Sequence, residues 1–227
     1  MKNKLKVDNK VFKPTGTSDL LLEASLHYIS KKDDILDLGC GSGIIGIKIA
    51  KTKKIKKKIF FSDISKFAVR NTKLNCENNK INYEIKIGSR LKPWLGRRFD
   101  LIVCDVSGIA DDVARISPWY NKSIVNKAGK EGINNIINIL KNFKKNLNPK
   151  GKLIFPLISL SNEDKVLFYL KRKFNKYRVL KTKYWPIPKR MYKSKKLLLN
   201  LDKHKKIKIF EKYGLIIFST KIIMVKK

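Results

Sequence analysis

From Asp34 onward, short apolar runs alternate with stretches whose apolar residues recur at helical spacing. Residues 34–38 (Asp-Ile-Leu-Asp-Leu) read as a buried strand, 59–61 as a second ending at Asp63, 83–87 as a third and 99–104 as a fourth. Residues 153–158 read as the fifth despite Pro156, and 179–185 and 215–225 as the last two. Between them, 44–51, 65–78, 132–147 and 161–174 carry the helical period. Ser65 stands at one N-cap position and Ser161 or Asn162 at another, with Asp164 in a first turn that the helix dipole favours. Asn148-Pro-Lys-Gly151 reads as a turn. Such alternation predicts an α/β fold: a mostly parallel seven-stranded sheet with helices on both faces and an antiparallel edge strand. The expected organisation is one domain over 34–227, preceded by an N-terminal arm and helix over 1–33. A basic insertion at about 186–213 is too short to be a domain.

Composition adds one unusual feature. The chain has 227 residues and a 43% hydrophobic share, ordinary for a globular protein, but 53 Lys and Arg against 18 Asp and Glu give it a charge of +35. This excess is open to two readings. A field of that size attracts polyanions, with RNA or a ribonucleoprotein as the expected partner. The bias toward Lys, Asn and Ile is also what AT-rich codons produce, which accounts for Lys replacing Arg but less readily for the scarcity of acids. Cys40, Cys76 and Cys104 are widely spaced, so no metal site or disulfide framework is expected. The basic N-terminus leads into no apolar signal segment, and no apolar run is long enough to span a bilayer; a cytoplasmic protein is expected.

The candidate chemistry begins after the first strand, at Asp37-Leu-Gly-Cys-Gly-Ser-Gly43. Glycines there permit positive φ and close approach of backbone to a ligand. No Gly-Lys-Ser/Thr follows, so a nucleotide-triphosphate loop is excluded, and the glycine spacing is not that of a dinucleotide site. Asp37 would repel a pyrophosphate but suits a zwitterion carrying an ammonium group. Asp63 lies about twenty residues past the loop, where a ribose diol sits in folds of this kind. Each carboxylate has an alternative use as a cap, Asp37 for the loop's amides and Asp63 for the next helix.

Together these residues resemble the signature of class I S-adenosylmethionine-dependent methyltransferases, which have a Rossmann-like fold. Pro14-Thr-Gly-Thr17-Ser18-Asp-Leu20, Asp63-Ile-Ser65 with Ala68, Val69 and Asn75, Ala128-Gly-Lys-Glu-Gly-Ile133 and Asn148-Pro-Lys-Gly151 are similar to stretches of the release-factor glutamine methyltransferase group. The resemblance implies that Thr17 and Ser18 lie near the methionine end of the cofactor, Asp37 near its amino group, Asp63 at its ribose and Ser89 at its adenine. Gly39, Cys40, Gly41, Gly43 and Ile64 complete the expected cofactor-binding set. Ser89 is a departure, since an acid is common at that position. A larger departure follows the fourth strand, where the group carries N/D-P-P-Y/F and this chain has Asp105-Val-Ser-Gly108. Asp105 is the expected catalytic residue, able to accept a hydrogen bond from an amine or steer a nucleophile. Without the prolines and the ring, glutamine or nucleobase methylation does not follow from this box. The prolineless loop is also similar to that of ribosomal-protein lysine methyltransferases.

On the substrate side, a long irregular stretch is expected over 109–130. Its Trp119 and Tyr120 either stack on a base or wall off the cofactor, or Trp119 packs down as an anchor. Ser107 and the cluster Lys189, Arg190, Lys193, Lys195 and Lys196 complete the expected substrate-binding set, the cluster as a phosphate track or a solvated loop. Trp94 reads as edge packing, and neither His27 nor His204 has a partner in sequence. The expected activity is methylation of a macromolecular component of translation, with RNA ahead of protein. The alternatives are a protein methyltransferase acting on Gln or Lys, and a silent RNA-binding module. Neither a metal nor a membrane is expected to take part.

Overall fold

In the computed structural model, which describes residues 5–106, 108–121, 123–124, 126–174 and 177–227, all seven apolar runs fall within one sheet. Its strands are β1 (Ile35–Leu38), β2 (Ile59–Asp63), β3 (Tyr83–Ile87), β4 (Phe99–Cys104), β5 (Leu147–Ile158), β6 (Tyr177–Pro186), a short β7 (Phe210–Lys212) and β8 (Leu215–Lys226). The order is β3-β2-β1-β4-β5-β8-β6, with β7 paired to β8, so the sheet has eight strands. Strands β1 to β5 run parallel, while β8 is antiparallel to both β5 and β6. The antiparallel strand therefore lies one place in from the edge expected for it, and β6 takes the edge. Composition explains the order. Ile222, Ile223, Met224 and Val225 of β8 are all buried, as a strand covered on both faces requires. On β6, Lys183 and Tyr184 stay exposed, and lysine on an edge strand discourages pairing with another chain.

The helices are α1 (Gly16–Leu26), α2 (Ile44–Thr52), α3 (Lys66–Asn78), α4 (Asp111–Ile116), α5 (Asn134–Asn142), α6 (Glu163–Lys173) and α7 (Lys195–Lys203). Alternation along the strands divides the interior into two layers. Leu36, Leu38, Ile102, Leu153, Phe155, Ile223 and Val225 share one core with Leu140 of α5 and with Val166 and Leu170 of α6. Ile35, Leu101, Val103, Ile154, Ile222 and Met224 share the other with Leu21 of α1 and with Ile47 and Ile49 of α2. Trp94, expected at an edge, is instead fully buried. Its ring lies 5.5 Å from that of Phe60 and 5.6 Å from that of Phe99, edge-on to both.

Three segments differ from the pattern-based expectation. Stretch 109–130 contains α4, too short at six residues to show a period. The helix expected over 132–147 ends at Asn142, passes through a 3-10 turn, and β5 begins at Leu147 with a register shift opposite Phe99 and Leu101. The Asn-Pro-Lys-Gly turn is thus an irregularity inside a strand. The basic insertion is not a bare loop either. Met191, Leu198, Leu201 and Ile207 form a third core with Val113 of α4 and Phe218 of β8. Leu197, Leu198 and Leu201 give α7 one apolar face among its lysines.

The N-terminal arm is tied to α3. Lys6 N donates to Asn75 Oδ1 at 3.0 Å, Asn75 Nδ2 returns a bond to the Lys6 carbonyl at 2.8 Å, and Asp8 N donates to Asn71 Oδ1 at 3.0 Å. Those bonds carry the chain from Lys10 to Thr17 past the carboxyl ends of the strands. Among the described residues, no helix is long and apolar enough to cross a membrane.

Candidate active site

The site lies where β1, β2 and β4 end, the usual place for a ligand on a sheet of this order. After Leu38 the chain turns through Gly39, which has φ +75°; a Cβ there would sit 2.9 Å from Val106 Cγ2. Only glycine meets both conditions. Gly39 N and Cys40 N donate to the Ser62 carbonyl at 2.8 and 3.1 Å, and Gly41 N donates to Asp63 Oδ2 at 3.0 Å. Gly46 N, in the first turn of α2, donates to Asp37 Oδ2 at 2.8 Å. The loop is thus pinned to β1 on one side and β2 on the other. It floors a cavity of about 570 Å³ whose other walls come from the arm and from the residues after β4.

Three carboxylates surround this loop. Burial pushes the Asp37 carboxyl up to about 7, against the Gly46 amide that favours its charge; the charges of Asp105 and Asp63 add to the rise. Its Oδ1 is buried and has no hydrogen-bond partner among the described residues. Burial also raises Asp63, opposed by the backbone amides of Ser65, Gly41 and Ile64. Asp105 is raised by burial and held back by the Ser18 hydroxyl, which donates to its Oδ2 at 2.6 Å. Ser18 Oγ in turn accepts a bond from Thr15 N at 3.4 Å, so the capping box of α1 positions the hydroxyl that meets Asp105. Among the described residues, no Lys or Arg offsets the rise at any of the three carboxylates, although Lys10, Arg90 and Lys127 line the same cavity. Clustered carboxylates raised by burial mark functional sites and suit a positively charged ligand.

Thr17, Ser18, Gly39, Cys40, Gly41, Asp63, Ile64, Ser89 and Asp105 all line the cavity. Asp37 and Gly43 are not in its wall. Asp37 lies beneath the loop and serves the capping use considered for it, while Asp63 caps by accepting Ser65 N at 2.8 Å and still faces the cavity. Ser107 lies outside the described residues. Wall residues that the sequence did not single out include Phe12, Arg90, Val106 and Asn135. Arg90 donates from Nε and Nη2 to Asn135 Oδ1 at 3.2 and 2.9 Å, a pairing across 45 residues with no local signal. The thiols of Cys76 and Cys104 are pushed up to about 12 by burial, and that of Cys40 also rises, so all three are poor nucleophiles. Among the described residues, no three His, Cys, Asp or Glu side chains form a group that could hold a metal.

A second cavity of about 300 Å³ adjoins the first, sharing Phe12, Thr15, Thr17, Tyr120 and Ile158 with it. Trp119 lines this second space and packs edge-on to Phe218 at 5.9 Å, so it is both loop anchor and cavity wall. Lys189, Arg190, Lys193, Lys195 and Lys196 are exposed and line neither cavity. Lys195 pairs at 3.6 Å with Glu211.

Residues 9–106 match the family model of the methyltransferase small domain. The chain is 33% identical over 116 residues to the ribosomal protein L11 methyltransferase of Caldicellulosiruptor bescii, a match covering 50% of this chain and 36% of that relative. It is 30% identical over 154 residues to the release factor glutamine methyltransferase of Borreliella burgdorferi, covering 65% and 53%. The matches thus span between a third and about half of these relatives' lengths. A solved structure, the precorrin-6y C5,15-methyltransferase of Geobacter metallireducens, shares the fold with a TM-score of 0.60 at 11% identity, over 100% of this chain and 96% of that one.

Proposed function

We propose that this chain, which carries a methyltransferase small domain over residues 9–106, is an S-adenosylmethionine-dependent methyltransferase acting on a macromolecular component of translation, with RNA as acceptor. The observation that carries the cofactor reading is the set of three buried carboxylates, Asp37, Asp63 and Asp105, gathered around a glycine-floored cavity. S-adenosylmethionine brings to such a site an electrophilic methyl group on a positively charged sulfonium, together with an ammonium and a ribose diol. The site fits that group. Asp63 keeps lone pairs free to accept from the diol, Gly39 to Gly41 offer close backbone, and Ile64 and Ser89 face the adenine side. Thr17 and Ser18 stand toward the methionine end. Asp37 holds the loop from below through the Gly46 amide. Asp105, held by Ser18, is placed to accept a hydrogen bond from an acceptor N–H and to take its proton. In this reading residues 34–227 act as one catalytic domain, residues 1–33 close its cavity, and the protein works in the cytoplasm.

The charge of +35 supports an RNA acceptor, because so large an excess of Lys and Arg favours a phosphate backbone. A protein acceptor is the second reading, supported by likeness to enzymes named for ribosomal protein L11 and for release factor glutamine. Calorimetry with S-adenosylmethionine tests the cofactor reading. Asp63→Ala should weaken binding about 10- to 100-fold, equivalent to about 1.5–3 kcal/mol for a lost charge-assisted hydrogen bond. Asp105→Ala should abolish turnover and leave cofactor affinity nearly unchanged. Folded wild-type protein that binds no cofactor would overturn the assignment. Labelled methyl transfer to bulk rRNA and tRNA, set beside ribosomal proteins, decides the acceptor; label in protein alone moves the protein reading to first place.

A further inference from the structure

Five aromatic rings line the second cavity, beside Ile109, Ile158, Pro186 and residues 15–17. Phe12 comes from the arm, Trp119 and Tyr120 from the stretch after α4, Trp185 from β6 and Phe218 from β8. Among the described residues no charged side chain lines it; the polar side-chain groups in its wall are the hydroxyls of Thr15, Thr17 and Tyr120 and the indole N–H groups of Trp119 and Trp185. The rings are held in place before any guest arrives. Trp185 Nε1 donates to Thr220 Oγ1 at 3.2 Å, and its ring lies so close to α1 that a Cβ on Gly16 would meet it at 2.5 Å. Phe12 and Tyr120 are in contact at 5.4 Å between centroids, and both belong to the shared wall with the first cavity. A flat guest between these rings would have one edge directed toward the space that Asp105 and Ser18 line.

At the other side, Pro186 is in the wall, and the chain runs from it directly into the 3-10 turn Lys189–Ser194 and α7. There Lys189, Arg190, Lys193, Lys195 and Lys196 are exposed. A slot that stacks a ring, next to a row of cations, is the arrangement that binds single-stranded nucleic acid: base on aromatic, phosphate on Lys or Arg. A volume of about 300 Å³ is at the small end of ligand pockets, suited to one planar ring system.

We infer that this aromatic cavity receives a single unstacked nucleobase of the RNA acceptor, with the flanking phosphates on the basic turn and α7. This rests on the RNA reading above, and the test separates failure of one from failure of the other. Tryptophan emission reports the event, because Trp119 and Trp185 line the cavity while Trp94 is sealed in the core as a constant background.

The probes are a short single-stranded RNA of mixed sequence, an abasic ribose-phosphate strand of the same length, and heparin. The base-bearing strand should quench the emission and the abasic strand should not. Trp119→Ala should weaken the base-bearing strand about 10-fold and leave the abasic strand unchanged, as removal of one stacking partner does. Trp119→Phe keeps an aromatic edge on Phe218 and should retain affinity while losing the share of the quench due to Trp119; Trp185→Phe, which leaves Trp119 as the cavity reporter, keeps the test open should the alanine variant misfold. If base-bearing and abasic strands bind and quench alike, the cavity holds no base, yet RNA binding through charge survives. If RNA binds no better than heparin, and no variant alters either, the RNA reading itself falls and the cavity proposal with it.

Discussion

The two sides of the site are made from different materials. The cofactor side, at the ends of β1, β2 and β4, is a matter of backbone amides and carboxylates: Gly39, Cys40 and Gly41 bonded to Ser62 and Asp63, and Gly46 bonded to Asp37. The bonds that hold the glycine loop to β1 and β2 fall between positions 37 and 65, with Thr72 and Asn75 of α3 bonded to the Gly41 and Ser42 carbonyls. The second cavity, the proposed acceptor side, has rings instead, drawn from positions 12, 119, 120, 185 and 218, with the exposed lysines of 189–196 outside its wall. The contrast suits the two proposed ligands. The proposed cofactor, with a diol and cationic groups, would be met by a short rigid loop. The proposed flat acceptor would be met by surface area, which segments far apart in the chain can supply together. The same contrast separates two tryptophans: Trp94 is 1% exposed in the core, while Trp119 is half-buried at a cavity.

That difference predicts the largest effect. Trp94→Ala should cost about 3–5 kcal/mol of stability, as expected for a buried aromatic truncated in a packed core. Trp119→Ala should cost about 1 kcal/mol, the ordinary value for a partly exposed side chain. Urea unfolding of both variants measures the gap. Equal losses would make Trp119 a structural anchor and leave the two regions alike.

Next in size is a pH effect confined to the cofactor side. Asp37 has an ordinary value of 3.8 when unfolded and about 7 when folded, so between those values the native state holds the extra proton. Stability of the cofactor-free protein should therefore fall as pH rises from about 4 to about 7. Asp37→Asn should flatten the part of that slope due to this group, raising stability at neutral pH by a few kcal/mol, while Asp63 and Asp105 keep a slope of the same sign. Should the variant reproduce the wild-type profile, Asp37 is charged throughout and the case for a pocket awaiting a cation weakens.

The smallest effect on stability, and a specific one on binding, belongs to the acceptor side. Replacing Lys193, Lys195 and Lys196 with Gln should lower the slope of log affinity for RNA against log salt by about 2–3. The fold should change by about 0.5 kcal/mol or less, since these side chains are exposed and the single pair of Lys195 with Glu211 is long. A mutant with the wild-type slope would locate the RNA elsewhere, or make the charge a product of codon bias.

Much of the cofactor side was legible before any coordinates. Asp37, the glycines and Asp63 are close in sequence, and their spacing between two strands reads as a ligand loop or, for each acid, as a cap; the cap uses are seen at Gly46 N and Ser65 N. The partnership of Ser18 with Asp105 was not legible, because it spans 87 residues and depends on the capping geometry of α1. The burial of Trp94 was hidden for a related reason: its neighbours Phe60 and Phe99 come from strands that meet only when the sheet forms.

Periodicity within a segment determined the strands, the main helices and the parallel α/β class, because burying one face of each element leaves a mark every 2 or 3.6 residues. Local chemistry likewise determined the glycine loop and its acids. Tertiary structure alone decided that β8 would insert between β5 and β6, that α4 and α7 would share a third core, and that the arm would bend over the strand ends. It also decided that five rings from distant segments would enclose one cavity. These are contacts between elements, and a contact between elements leaves no period within either one.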